Sequence, residues 1–253
     1  MSRHYFQASP AISLSQVNVM TAKIIEDASN RERVFVFRDR LQAGKLLSER
    51  LRGYSGDKGN VVLLALPAGG VPVGHVVAKE LGISMDLMIV RKIQIPWNTE
   101  AGFGAVTWDG EKVLNENLIR RLGLTKKDVE ESISQTKKTI QERVKKFKKD
   151  KLMSDLKDKV VMLVDDGLAS GFTMLAAVRS ARKRTPKKII VAVPTASLGA
   201  VKLLAPEVDE IFCLNIRSGP VFAVADAYKN WYDLTDEEVI KILQSGEKQQ
   251  GVP

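Results

Sequence analysis

Apolar residues follow two different spacings along most of the chain. Short apolar runs, many of them rich in β-branched residues, are typical of strands buried on both faces. Such runs lie within 61–66, 84–90, 160–164, 188–193 and 210–214. Between them, apolar residues recur every three or four positions, as in amphipathic helices. Strands that alternate with helices predict an α/β fold, with a mainly parallel sheet flanked by helices.

Capping and turn signals mark the ends of several predicted elements. Three pairs of residues have the spacing of capping boxes and predict helix starts. They are Asp39 with Gln42, Thr125 with Asp128, and Thr235 with Glu238. Asp109 and Gly110 separate two short apolar segments, which predicts a tight hairpin turn. Residues 93–104 are polar and contain glycine, so we expect a loop there.

We expect one domain over residues 34–253, preceded by a loose N-terminal extension over residues 1–33. Within the domain, residues from about 115 to 150 predict a helical insertion that is split near Gly123. Residues from about 215 to 245 form a C-terminal stretch that we call the hood segment. Its aromatic residues either cover a planar ligand or pack as core. They are Phe222, Tyr228, Trp231 and Tyr232.

Composition narrows the class of protein. The net charge of +9 over 253 residues suits nucleic acid or a polyanionic small molecule as a partner. No apolar run approaches the roughly 20 residues that span a bilayer, so we expect no membrane association. The single cysteine, Cys213, lies in an apolar, strand-like segment. This placement indicates a small core residue, and a single cysteine indicates a reduced, cytoplasmic setting.

Lysines are concentrated at the end of the 115–150 segment. They are Lys145, Lys146, Lys148, Lys149 and Lys151. A solvated helix end accounts for them, because cations are favourable at a helix C-terminus. A nucleic-acid patch is the alternative, although no aromatic residues interleave to support it.

The chemistry that the sequence indicates most strongly follows the apolar run 160–164. Two adjacent carboxylates, Asp165 and Asp166, come where this strand must end. A short run of small residues follows, and a helical pattern opens at Thr173. Backbone amides of a tight glycine-containing loop, together with the positive end of a helix, form an anion site. The two acids suit the hydroxyl groups of a ribose with a divalent cation nearby.

Two further loops are expected at the same edge of the sheet, because ligands bind outside the carboxyl ends of parallel strands. Residues 68–70 follow the apolar run 61–66, and two glycines there let the backbone turn its amides toward a diphosphate. An ordinary strand-to-helix turn is the alternative. Arg91 and Lys92 follow the next predicted strand and supply permanent positive charge.

These features resemble the type I phosphoribosyltransferases. Residues 160–173 are similar to that family's loop for phosphoribosyl pyrophosphate, with an apolar strand, paired acids, three variable residues and then Ser, Gly and Thr. Residues 67–70 are similar to its pyrophosphate loop, and Arg91-Lys92 to the basic pair before the mobile loop of adenine and orotate enzymes. Together with Phe37-Arg-Asp-Arg, the order of motifs is similar to a subgroup of predicted phosphoribosyltransferases with an unassigned acceptor.

The resemblance implies a Rossmann-like sheet with a small hood, the use of phosphoribosyl pyrophosphate with Mg²⁺, and a homodimer. It also implies transfer of the 5-phosphoribosyl group to a nitrogen acceptor, such as a nucleobase or related heterocycle, with release of pyrophosphate. Asp165 and Asp166 are then expected to bind the ribose and to hold the metal through water. With Arg91 and Lys92, they are the candidate catalytic residues.

The implied binding residues fall into two sets. The first set, for the ribose 5-phosphate, comprises Asp165, Asp166, Gly167, Leu168, Ala169, Ser170, Gly171, Phe172 and Thr173. The second set, for the pyrophosphate, comprises Ala68, Gly69, Gly70, Arg91 and Lys92.

Ala169 bears on the choice of acceptor. In hypoxanthine- and guanine-type enzymes this position carries an Asp that handles the N7 proton of the base. Alanine cannot do this, so the resemblance disfavours a 6-oxopurine acceptor.

The alternative to an enzyme is a regulatory protein of the same fold that senses phosphoribosyl pyrophosphate or nucleotides and binds RNA through the lysine-rich helix. Fold alone does not separate these two functions.

Overall fold

The structure, a computed structural model, describes residues 22–57, 59–148 and 154–250. Strands and helices alternate along most of this chain. The strands are β1 (Lys23–Glu26), β2 (Val61–Ala65), β3 (Ser84–Leu87), β4 (Val90–Ile95), β5 (Asn98–Thr107), β6 (Lys112–Leu114), β7 (Val160–Val164), β8 (Lys188–Ser197) and β9 (Glu210–Arg217). The α-helices are α1 (Arg40–Arg50), α2 (Gly70–Leu81), α3 (Glu116–Leu122), α4 (Lys126–Lys148), α5 (Phe172–Arg182), α6 (Leu198–Leu204) and α7 (Asp236–Gln250).

The main sheet is parallel and runs in the order β1-β9-β8-β7-β2-β3. From β2 the chain continues to β3 on one side, and from β7 it continues through β8 and β9 on the other. The strand order therefore reverses between β2 and β7, where Ala65 pairs with Val164. Open α/β sheets bind ligands at such a switch point, outside the carboxyl ends of the strands. The predicted α/β fold with a mainly parallel sheet is confirmed.

Residues 93–104 are not the loop that the sequence pattern predicted. They belong to an antiparallel hairpin in which β4 and β5 are joined by Pro96 and Trp97, and β6 adds a third strand. The apolar side chains of Ile93, Ile95 and Phe103 are buried in the core. Polar residues alternate with these apolar ones because one face of the strand is exposed. The segment is short and contains glycine, so its sequence alone resembles a loop.

The hairpin glycines explain why the loop prediction failed. A Cβ atom at Gly102 would collide with the side chain of Lys92 across the strand pair, and one at Gly104 would collide with the carbonyl of Val113. Glycine at these two positions allows the three strands to approach closely, and it is not a mark of a mobile segment.

Two helices lie between residues 116 and 148. The helix α3 ends at Gly123, whose φ of +66° lies in the left-handed region that glycine adopts without strain, and α4 follows it. The Thr125 hydroxyl and the Asp128 carboxylate bond reciprocally to each other's backbone N–H, which is a capping box. Thr235 and Glu238 do the same.

The N-terminal region differs from the expectation of a loose extension. Residues 1–21 lie outside the described range, but β1 pairs with β9 as the edge strand of the main sheet. Only four residues form this strand, and its sequence, KIIE, has too little pattern to be recognised without its partner. Further along, Phe37 forms a single isolated bridge with Tyr228.

Cys213 is buried in β9, as predicted for a small core residue. Among the described helices, none has the length and apolar character needed to cross a membrane.

Candidate functional site

Two predicted loops meet at the carboxyl ends of β2 and β7. We call residues 66–70 the glycine loop and residues 165–171 the acid loop. A Cβ atom at Gly69 would collide with the carboxylate of Asp166, and one at Gly70 would lie 2.6 Å from the last carbonyl oxygen of β7. The two loops therefore touch, and the contact requires glycine on one side of it.

The acid loop runs directly into the N-terminus of α5. Gly171 is the N-cap residue and has a φ of +80°, a conformation that glycine adopts at little cost. Within the described chain this helix start has no side-chain cap. The N–H groups of its first turn, which include those of Phe172 and Thr173, are therefore available to an anion.

The acid loop is also held from its other side by β8. The N–H of Leu168 donates to the carbonyl of Thr195 over 3.0 Å, and the N–H of Ser197 donates to the carbonyl of Leu168 over 2.9 Å. The Ser197 hydroxyl donates to the carbonyl of Ala169 over 2.6 Å. Ala169 and Ser170 themselves are exposed at the tip. The backbone of the loop is thus fixed without a ligand, which lowers the entropy cost of binding one.

The two acids of this loop have different surroundings. Asp165 is half-buried, and its Oδ1 accepts a hydrogen bond from the Asp166 N–H over 2.8 Å. Burial, with the charge of Asp166, raises the pKa of Asp165 well above its usual value. Burial also raises the pKa of Asp166, while the guanidinium of Arg40 opposes that rise. Two adjacent carboxyls, one half-buried and one buried, favour a cation or hydrogen-bond donors placed against them.

Arg40 is the residue of this site that the sequence prediction missed. Its Nε donates to Asp166 Oδ2 over 2.8 Å, although the two residues are 126 positions apart in the chain. A signal was present, because Arg40 ends the Phe37-Arg-Asp-Arg motif and begins a helix. A cation in the first turn of a helix opposes the helix dipole, so it needs an acidic partner nearby.

The aromatic residues of the hood segment pack partly as core. Tyr228 is buried, and its ring lies 5.6 Å from that of Phe37 and 5.3 Å from that of Trp231. Its hydroxyl donates to the backbone carbonyl of Asp166 over 2.6 Å. Of the two alternatives, core packing holds for Tyr228, whereas Tyr232 is exposed.

Arg91 and Lys92 lie inside β4, and consecutive side chains of a strand point to opposite faces. Arg91 is half-buried; burial lowers its pKa, and the charge of Arg143 lowers it further, while Asp236 opposes this. In the described part of the chain its side chain makes no hydrogen bond or salt bridge. It lines a cavity of about 180 Å³ beside α4, together with residues such as Thr136. A half-buried cation without a paired acid favours an anionic ligand.

The lysines at the end of α4 are described only in part. Lys145 and Lys146 are exposed, and Lys146 Nζ bonds to Asp236 over 2.9 Å and to Glu237 over 3.2 Å. The side chain of Lys148 and residues 149 and 151 lie outside what the structure describes. These ion pairs reduce the positive charge that Lys146 could offer to a nucleic acid.

Comparison with known proteins connects this geometry to a family. A family model described as a phosphoribosyl transferase domain matches residues 112–229, which include the acid loop and the start of α5. Two curated Mycobacterium tuberculosis proteins, "Putative phosphoribosyl transferase Rv0571c" of strain H37Rv and "Putative phosphoribosyl transferase MT0597" of strain CDC 1551, are each 36% identical to this chain over 208 residues. The match covers 82% of this chain and 46% of each relative, so the chain spans about half the length of these curated proteins.

A solved structure extends the comparison to the fold. The protein TT1426 from Thermus thermophilus is 35% identical to this chain, with a TM-score of 0.66. The alignment covers 83% of this chain and 98% of TT1426. The family model, the curated relatives and the paired acids on a parallel sheet agree with one another. The chain therefore belongs to the phosphoribosyltransferase family.

Proposed function

We propose that this protein transfers the 5-phosphoribosyl group of phosphoribosyl pyrophosphate to a nitrogen acceptor and releases pyrophosphate. One observation carries the proposal: the acid loop and the glycine loop touch at the switch point of the sheet, where Gly69 packs against the carboxylate of Asp166. A donor of this kind presents a ribose between a 5-phosphate and a diphosphate. Binding this donor requires neighbouring sites for the ribose hydroxyls and for two anionic groups.

Each part of the site has a role in this proposal. The free amides at the start of α5, with the Ser170 and Thr173 hydroxyls, bind the 5-phosphate. Asp165 and Asp166 accept hydrogen bonds from the ribose hydroxyls. The amides of residues 68–70 bind the diphosphate, and fixing both ends of the donor holds its C1 in line for attack.

Arg91 and Lys92 provide positive charge that becomes more favourable as pyrophosphate departs. The unpaired state of Arg91 among the described residues supports this role, because an anion would satisfy its charge. Both residues line the cavity beside α4, so their charges can act on one anionic group.

The residues present fit Mg²⁺ bound together with the donor. Mg²⁺ uses one or two protein carboxylates plus substrate phosphates, and the pair Asp165 and Asp166 supplies this number. The described residues contain no group of three or more His, Cys, Asp or Glu side chains that could hold a metal without such a substrate. When bound, the metal would offset the negative charge of the leaving diphosphate.

The acceptor in this proposal is a nucleobase or a related heterocycle, bound toward the hood segment. We expect 6-oxopurines to be poor acceptors, because Ala169 offers no group for the N7 proton.

We also propose a homodimer, as the family resemblance implies. Sedimentation at micromolar concentration tests this proposal, and a monomer contradicts it.

The test of the function is pyrophosphate release from phosphoribosyl pyrophosphate with Mg²⁺ in the presence of a panel of nitrogen heterocycles and amines. We expect at least one acceptor to support release above the rate of donor hydrolysis. Tight donor binding with no release for any acceptor contradicts the enzyme and favours the regulatory alternative. In that case RNA binding with a steep salt dependence, lost when Lys145 and Lys146 are replaced by Gln, would identify the regulator.

A further inference from the structure

Arg40 occupies a position where a cation is not expected. It is the first residue of α1, and the positive end of the helix dipole makes an acid preferable there. Its side chain is only 7% exposed, and that of its partner Asp166 is 12% exposed, so water does little to screen the pair. A buried ion pair is weak evidence for stability, because desolvation offsets much of the attraction. Its presence at the candidate site therefore calls for another explanation.

The hood segment also holds Arg40 in place. The guanidinium lies 3.9 Å from the centroid of the Trp231 ring, and its Nη1 donates to the backbone carbonyl of Tyr232 over 2.9 Å. Stacking on an indole and a bond to a carbonyl leave the planar group few alternative orientations. Its Nε–H donates to Asp166 Oδ2.

Asp166 is in turn fixed on every side that the structure describes. One carboxylate oxygen accepts from Arg40, and Gly69 of the glycine loop packs directly against the same carboxylate. Its backbone carbonyl accepts from the Tyr228 hydroxyl. The orientation of this acid is therefore set by residues from α1, the glycine loop and the hood segment, none of which is near it in sequence.

We propose that Arg40 is a positioning residue for the donor site, which orients Asp166 for the ribose and couples it to the hood segment through Trp231. This inference rests on the proposed function, because it assigns Asp166 a ligand. It goes further in assigning a role to Arg40 and to residues 228–232, which lie outside the donor loops.

The experiment compares donor affinity across a series at one position. Calorimetry with phosphoribosyl pyrophosphate and Mg²⁺ is performed on the native protein, Arg40→Ala and Arg40→Lys. We expect Arg40→Ala to weaken binding by about 10- to 100-fold, the usual effect of removing a group that supports a ligand-binding side chain. Arg40→Lys keeps the charge but loses the planar fork, so we expect an intermediate loss.

A chemical-rescue step separates positioning from general structure. Guanidinium, at concentrations far below those that unfold proteins, should restore part of the affinity of Arg40→Ala, and potassium chloride at the same concentration should not. The matched control is Arg38→Gln, because Arg38 belongs to the same segment, but its side chain is 64% exposed and pairs with Asp39. We expect native affinity for this control.

The outcomes distinguish this inference from the proposed function. If the native protein does not bind phosphoribosyl pyrophosphate, the proposed function fails. If it does bind, and Arg40→Ala is folded with native affinity, only the role of Arg40 is overturned. A lower unfolding midpoint with unchanged affinity would also overturn it. If Arg40→Ala does not fold, Arg40→Lys decides: reduced affinity with a folded protein supports positioning, and native affinity contradicts it.

Discussion

Two glycine-containing regions of this protein use glycine for opposite purposes. In the acid loop and the glycine loop, glycine lets two backbone segments meet, with Gly69 against Asp166 and Gly171 in a left-handed conformation. In the β4–β5 hairpin, Gly102 and Gly104 let neighbouring strands pack without a gap. Both regions contain two or more glycines, but we propose that one binds a ligand, whereas the other packs strands together. The difference depends on what lies across from each glycine, and the local sequence does not contain that information.

The largest effect should follow from the glycine that joins the two loops. Gly69→Ala places a methyl group on the carboxylate of Asp166, so that acid must move. A displacement of about 1 Å at a reacting site can cost about 100-fold, and we expect donor affinity to fall by at least that factor. Calorimetry with phosphoribosyl pyrophosphate and Mg²⁺ measures it. Gly53→Ala is the control, because a Cβ atom there meets nothing within 4 Å.

The next effect concerns the basic pair of the hairpin. Replacing both Arg91 and Lys92 by Ala should reduce turnover by about 100-fold while donor affinity falls much less, since their charges matter most as pyrophosphate leaves. Steady-state pyrophosphate release, compared with donor binding by calorimetry, gives the two quantities. Equal losses in turnover and affinity would show that the pair serves only ground-state binding.

The packing role of the hairpin gives a stability effect. Gly104→Ala forces a methyl group onto the carbonyl of Val113, and we expect a loss of about 1–3 kcal/mol in the free energy of unfolding. Donor affinity of the folded protein should be nearly native. Urea unfolding measures this change, with Gly53→Ala as the reference. A variant as stable as the native protein would restore the interpretation of residues 93–104 as a loop.

The smallest effect is expected at the end of α4. Replacing Lys145 and Lys146 by Gln removes exposed charges, one of which pairs with Asp236 and Glu237. We expect donor affinity and turnover to stay native, because neither lysine belongs to the donor site. The assays used for the basic pair measure both. Loss of salt-sensitive RNA binding in this variant would contradict a purely solvated helix end.

Much of the fold could be predicted from the sequence because its signals are local. The run 160–164, followed by two acids and a helical pattern, fixes β7, the acid loop and α5 within a few residues of each other. Capping boxes at Thr125 and Thr235 depend only on residues three positions apart. Local patterns of this kind are reliable because the same short segment both carries the signal and forms the structure.

The parts that could not be predicted depend on distant partners. The strand β1 exists because β9 pairs with it, and β4–β5 is a hairpin because Ile93, Ile95 and Phe103 pack into the core. Arg40 joins the site through an acid 126 positions away. Asp166→Asn would therefore leave the buried Arg40 poorly paired, with a loss on the order of 1–3 kcal/mol in the free energy of unfolding.

The central claim is that the acid loop binds the ribose of phosphoribosyl pyrophosphate, and Asp165 gives its most direct test. Asp165 is the acid without an arginine partner in the described structure, so Asp165→Asn removes a ligand-binding charge with little effect on packing. Calorimetry with the donor and Mg²⁺ compares it with Asp155→Asn, a change at an exposed acid in the segment before β7. We predict tight binding by the native protein and Asp155→Asn, and at least about a tenfold loss for Asp165→Asn, in line with a lost charge-assisted hydrogen bond. Native affinity in Asp165→Asn would contradict the account.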